Sequence, residues 1–164
     1  MSTLSVDTIT GQTVAGKITL PSGYPVQVKS HAFNNTTNIT TTSGYVDVTG
    51  SSFAITPRNA GNTIVISANC YARHDNATDN GGVLRFNFGG TDGFTGANTG
   101  VYLDGSSNRY LTYSLTSIFT AGTTNATTIK LQGRCYSGGN FWVNWSSGSG
   151  GNFESNITVM EIAQ

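Results

Sequence analysis

From Tyr24 onward, apolar and polar positions alternate in short runs, and Gly, Asn, Ser and Thr punctuate them at roughly 8 to 12 residue intervals. Candidate strands fall at 24–33, 44–49, 52–57, 63–73, 82–88, 108–121, 127–136, 140–145 and 156–162. About eight or nine short strands are too many for a small open sheet and suit two packed layers. No long segment of Ala, Leu, Glu and Lys at helical period interrupts them. The pattern predicts an all-β fold, an antiparallel two-sheet jelly-roll sandwich.

Period two also assigns faces. In TIVISANCYAR, Ile64, Ile66, Ala68, Cys70 and Ala72 share one side, while Val65, Ser67, Asn69, Tyr71 and Arg73 share the other. In TTIKLQGRCY the inward set is Ile129, Leu131, Gly133 and Cys135. The two Cys-Tyr pairs match in facing, as they would in neighbouring strands of one sheet with both sulfurs in the core. Buried free thiols are the simpler reading, because a disulfide needs the sulfurs within bonding reach. In NFWVNW, alternation puts Phe141, Val143 and Trp145 on one face and Trp142 with Asn144 on the other.

The opening MSTLSVDTITGQTVAGKITLPSG behaves differently. Its aliphatics, Leu4, Val6, Ile9, Val14, Ile18 and Leu20, recur without ever forming a block, and they are too few to bury a core alone. Residues 1–23 therefore read as an attachment and oligomerisation segment whose strand pairing a partner completes. Residues 24–164 read as the β-sandwich head. The segment has neither the basic start nor the continuous apolar run of a secretory signal, so a product of the cytoplasm without membrane insertion is expected.

Composition narrows the partners. Eight basic residues balance eight acidic ones and only 10% of the chain is charged, which is no footprint for nucleic acid. Ser, Thr, Asn and Gly, roughly half of the chain, supply the solubility that charge normally does. Asn-x-Ser/Thr triplets such as Asn34 and Asn125 follow from that composition and carry little weight as glycosylation sites.

Chemistry is sparse. No nucleophile elbow, phosphate-binding loop, dinucleotide fingerprint or zinc motif occurs, and the eight carboxylates are scattered singly. No enzyme, cofactor or metal is expected. His31 and His74 read as exposed strand-end residues, and the oxygen-rich 74–82 stretch as a solvated turn. Four polar loops remain, at 34–44, 74–82, 89–108 and 146–152, of which the third is long enough to be a contact loop. Outward aromatics such as Tyr71, Tyr136 and Trp142 suit a subunit interface or stacking on sugar rings.

These residues resemble a known group. MSTLSVDTI is similar to the opening of small virion and tail-fibre proteins of marine tailed phages, and SFAITPRNAGNTIVIS with the closing NITVMEIAQ resembles their repeated strand motifs. The strand plan also resembles the jelly roll of tumour-necrosis-factor-like and complement globular heads, although their aromatic pattern is only loosely matched by Phe53 and Ser67 to Tyr71. The resemblance implies a homotrimer, with Asn156 to Ile162 as a central closing strand and Tyr113, Phe119, Tyr136 and Trp142 as trimer contacts. It implies a virion location, a second virion protein holding the N-terminal segment, and a fibre or appendage head that binds a host-surface glycan or receptor. Asn35, Asn38, Asp75, Asp79, Asp92, Phe94, Tyr102 and Asp104 are then the receptor-loop candidates. A capsid decoration protein without receptor specificity is the alternative, and a glycan-degrading depolymerase lies further off for want of a carboxylate pair.

Overall fold

Alternation in sequence becomes alternation in burial. Along TIVISANCYARH every second side chain from Ile64 is buried, and along TTIKLQGRC the buried set is Thr127, Ile129, Leu131, Gly133 and Cys135. A computed structural model of the chain describes residues 21–74, 80–93, 100–103, 109–135, 139–145 and 153–164. Within them the strands are β1 (Pro25–Phe33), β2 (Thr37–Ile39), β3 (Val46–Asp47), β4 (Phe53–Ile55), β5 (Thr63–His74) and β6 (Asn80–Phe88). They continue with β7 (Thr91–Gly93), β8 (Gly100–Leu103), β9 (Arg109–Thr120), β10 (Thr127–Cys135), β11 (Phe141–Val143) and β12 (Ser155–Ile162).

Several short strands are successive pieces of one line. β2 continues β1 and β11 precedes β12 along the flank of β5, so the first sheet runs β1/β2, β12/β11, β5, β9. The second runs β3/β4, β10, β6, β7/β8. All pairings are antiparallel, and the chain changes sheet at every connection between lines except the one from β6 to β7. This is the double Greek-key course of a jelly roll. The closing strand β12 lies between β1 and β5, the central place that the resemblance implied.

Register defines two ends. Pro25, Ile162, Thr63 and Thr120 align at one, and Ile39, Phe141, His74 and Arg109 at the other. The chain enters at the first end, where the Gly23 amide donates to Ala163 O at 2.8 Å and Ala163 N donates to Tyr24 O at 2.9 Å. At the opposite end β2, β5, β8 and β10 finish and β6, β9 and β11 start.

The core lies between the sheets, with Ile39, Ile64, Ile66, Leu84, Phe86, Ile129, Leu131, Phe141 and Ile157 fully enclosed. Each such side chain contributes about 1.5–3 kcal/mol relative to exposure. Glycine makes room where rings cross: a Cβ at Gly82 would stand 2.5 Å from the Phe141 ring.

Four expectations change here. Cys70 and Cys135 lie in opposite sheets, on β5 and β10, and both are buried thiols that form no disulfide. His74 is buried, stacked on Phe141 at 4.8 Å with its Nε2 2.9 Å from the Tyr113 hydroxyl. The stretch 89–108 is not one loop, because β7 and β8 lie within it and pair with β6. Trp145 leaves the Phe141 face: Asn144 adopts a left-handed φ of 56°, which breaks the alternation.

Asn144 is held there by its own bonds. Its Nδ2 donates to Phe33 O at 3.0 Å, its Oδ1 accepts from the Ser155 hydroxyl at 2.5 Å, and its backbone N donates to Tyr71 O at 2.9 Å. The turn ends β11 and sends Trp145 to the outer face of the first sheet, beside Arg73 and Tyr110.

Candidate functional site

The outer faces of the two sheets differ in chemistry. On the second sheet the outward positions are charged and cross-linked. Lys130 Nζ and Gln132 Nε2 donate to Asp47 at 2.7 Å each, and Arg85 pairs with Asp92 at 2.7 Å. Tyr45 lies under Arg85 at 3.8 Å and under Arg134 at 5.5 Å. Hydrogen bonds from Lys130 and Gln132 hold the Asp47 carboxyl below its usual range, against the small opposing effect of burial.

The first sheet has the opposite character. Its register aligns Val28, Met160, Val65 and Ile118 in one row across four strands, with Val28 54% and Ile118 69% exposed. The next row is Ser30, Thr158, Ser67 and Thr116, and the one after it Ala32, Asn156, Asn69 and Ser114. These hydroxyls and amides bond along the face, Ser30 with Thr158 at 3.2 Å and Ser114 to Asn69 at 2.6 Å. Among the described outward strand positions of this sheet, Arg73 is the one charged side chain.

Toward the end opposite the N-terminal side, the face turns aromatic. Tyr71 stacks on Phe153 with centroids 4.0 Å apart and planes within 3°. Arg73 lies 3.8 Å over the Trp145 ring, and Tyr110 stands 5.9 Å from it. Asn38 of β2 donates to Asn140 Oδ1 at 2.9 Å beside them.

Beneath the surface, two groups have displaced titration. Glu161 is fully buried on β12. Burial opposes its ionisation, yet Gln27 Nε2, Asn62 Nδ2 and the backbone amides of Arg58 and Asn59 all donate to it and hold its carboxyl below the usual range. Burial pushes the Cys70 thiol up to about 12, against a hydrogen bond with Ser155. Among the described residues no three of His, Cys, Asp or Glu converge as a metal-ligand set.

The sequence-derived candidates scatter. Tyr113 and Phe119 are buried between the sheets, so as core side chains they are not free for trimer contacts, which corrects that expectation. Trp142 is half-buried on the outer side of β11, and Tyr136 lies outside the described residues. Asn38 stands exposed at the end opposite the chain's start, whereas Asn35 lies in the break between β1 and β2, beside Gly50. Asp92 belongs to β7 and is engaged by Arg85 and Asn87. Tyr102 belongs to strand β8. Asp75, Asp79, Phe94 and Asp104 lie outside the described residues, as do Leu4, Val6, Ile9, Val14, Ile18 and Leu20.

What sequence reasoning missed is the row of Val28, Met160, Val65 and Ile118. Each of these residues occupies the polar parity of its own strand, so only cross-strand register shows them as one patch. No helix among the described residues is long and apolar enough to cross a membrane.

No protein-family model and no curated protein matches the chain. Among solved structures it is similar to a chain of infectious bursal disease virus, Gx strain, at 14% identity and a TM-score of 0.47, covering 99% of this chain and 37% of that one. It is also similar to a chain of the VP2 subviral particle of infectious bursal disease virus, at 14% identity and a TM-score of 0.43, covering 100% and 42%. This chain spans less than half the length of either. At that identity and TM-score the likeness carries no argument about this chain.

Proposed function

We infer that this chain is a virion structural protein, the trimeric jelly-roll head of a phage fibre or appendage, which binds a host surface without chemical turnover. The observation that carries this reading is the contrast between the two outer faces. A sheet face almost free of charge among its described positions, with an apolar row exposed at Val28 and Ile118, is complementary to another neutral surface, while the charged second sheet suits solvent. Association through the Val28 to Ile118 row removes from water the most exposed large aliphatic side chain among the described residues, Ile118. The number three comes from the resemblance to trimeric heads.

The two ends of the sandwich support the orientation. The N-terminal segment joins the sandwich at one end, where a second virion protein would hold it. The opposite end, which carries the exposed Asn38, then faces the host. Three copies presented together convert weak single-site binding into avidity.

Native mass measurement tests the assembly. The expected species has three times the 17.2 kDa chain mass, and Ile118→Asp shifts it to the single chain. A monodisperse single chain for the unmodified protein would overturn the trimer. Labelled protein is expected to bind intact host cells and to compete with phage adsorption. Stable particle association without cell binding would instead identify a decoration protein.

A further inference from the structure

The aromatic end of the first sheet's outer face differs from the rest of that face and has a chemistry of its own. The αL turn at Asn144 brings Trp145 next to Arg73 of β5 and Tyr110 of β9, with Trp142 close by on β11. Tyr110 is 45% exposed, and its ring is tilted by 39° to that of Trp145, so the two present a shallow aromatic angle rather than a closed stack. Arg73 Cζ lies 3.8 Å over the Trp145 ring centroid, a cation–π contact beside Tyr110. The indole N–H of Trp142 is buried and meets no hydrogen-bond acceptor among the described residues. That N–H is closed to solvent, so Trp142, half-buried on the outer side of β11, adds ring surface to the patch. The Asn38 and Asn140 amides form a polar rim.

We propose that this patch is a binding site for a neutral saccharide. A pyranose has a C–H face that packs on an aromatic plane and a rim of hydroxyls that both donate and accept. Tyr110 supplies the exposed plane, and the Asn38 and Asn140 side chains supply amide partners of both kinds. A neutral ligand fits because Arg73, the one charged side chain among the described outward strand positions of this face, already has its guanidinium over Trp145. The proposal rests on the reading of the chain as a host-binding head and names the ligand class for it. It places recognition mainly on side chains of β2, β9 and β11 rather than on the polar loops, and such rigid positioning lowers the entropic cost of binding.

The chain contains two tryptophans, and both are in this patch, so intrinsic fluorescence reports on the site directly. The full-length protein is titrated with neutral oligosaccharides of glucose, galactose and N-acetylglucosamine, and with an oligogalacturonate as the acidic probe. The expected result is a saturable change in tryptophan emission with at least one neutral probe, half-complete at roughly 1 mM for a single shallow site. Tyr110→Ala, at an exposed position, is expected to keep its circular dichroism and weaken that probe about tenfold. No response to any neutral probe, response to the acidic probe alone, or undiminished binding by Tyr110→Ala would overturn the proposal. Emission that instead follows protein concentration, with Tyr110→Ala dissociating the assembly, would make the patch a subunit contact and likewise overturn it. Ile118→Asp separates the two readings: a single chain that still responds to sugar retains this site, whatever the fate of the trimer.

Discussion

Replacing Glu161 by Gln removes a charge while keeping shape, and the structure states what that costs. The carboxylate is fully buried, and its described partners are four neutral donors: Gln27, Asn62 and the amides of Arg58 and Asn59. Hydrogen bonds to a charged group contribute about 1.5–3 kcal/mol each, against about 0.5–1.5 for neutral pairs. A glutamine can keep the three donors on the Oε1 side but turns an N–H toward Gln27 Nε2, which also donates to Thr56 O. Relief of the buried charge offsets part of the loss, leaving an expected destabilisation of about 2–4 kcal/mol. For a domain of this size that lowers Tm by about 5–15 °C at pH 7.

The pH dependence supplies the sharper check. The folded carboxyl titrates below the unfolded value of about 4.3, so in acid the unfolded chain binds the extra proton. The Glu161 contribution is therefore complete above that pH and is lost as pH falls through the folded value. Stability should fall by about 1.4 kcal/mol per pH unit between the two values. Glu161→Gln lacks this slope, so the difference between wild type and variant shrinks on acidification. Asp47, also held low, titrates in both proteins and cancels in that difference. Thermal melts of both proteins at fixed concentration from about pH 7 to pH 3 measure it. Equal stability at neutral pH, or parallel loss in acid, would refute the argument.

Three further outcomes follow from the packing. Gly133→Ala puts a Cβ 2.5 Å from Ile39 Cδ1 and 3.1 Å from Leu84, so urea denaturation should show a loss of about 1–3 kcal/mol. Asn144→Ala loses the bonds to Phe33 and Ser155 and keeps a β-carbon at positive φ without the polar side chain that lets asparagine tolerate it, for about 2–4 kcal/mol in the same assay. Asn144→Gly should lose less, because glycine accepts that backbone. Neither cysteine should react with an aromatic disulfide reagent at about pH 8 until denaturant is added, since both thiols are buried and that of Cys70 ionises only near 12.

Alternation along the chain was enough to place the strands near 24–33, 63–73, 108–121, 127–136 and 156–162 and to tell inside from outside on β5 and β10. The same parity groups Tyr113 and Phe119 with Leu111 and Leu115, so their place in the core was legible even though the resemblance pointed to the trimer axis. It also groups Glu161 with Ile157 and Val159. The short edge strands β7 and β8 were harder, because TDG and GVYL are too brief and glycine-rich to show a period.

Period two determines which way a side chain points relative to its own strand, because successive residues alternate across the pleat. It says nothing of which strand lies alongside, and here residues far apart in sequence become neighbours. That is why Cys70 and Cys135, alike in local pattern, fall in opposite sheets, and why Glu161 finds its donors at 27, 58, 59 and 62. Register alone assembled Val28, Met160, Val65 and Ile118 into one exposed row. A single left-handed residue, Asn144, reversed the alternation and carried Trp145 from the expected core to the surface. The sequence by itself determined a β-sandwich and most of its inward faces; which outer residues meet was decided by strand order and register, which depend on packing across the whole chain.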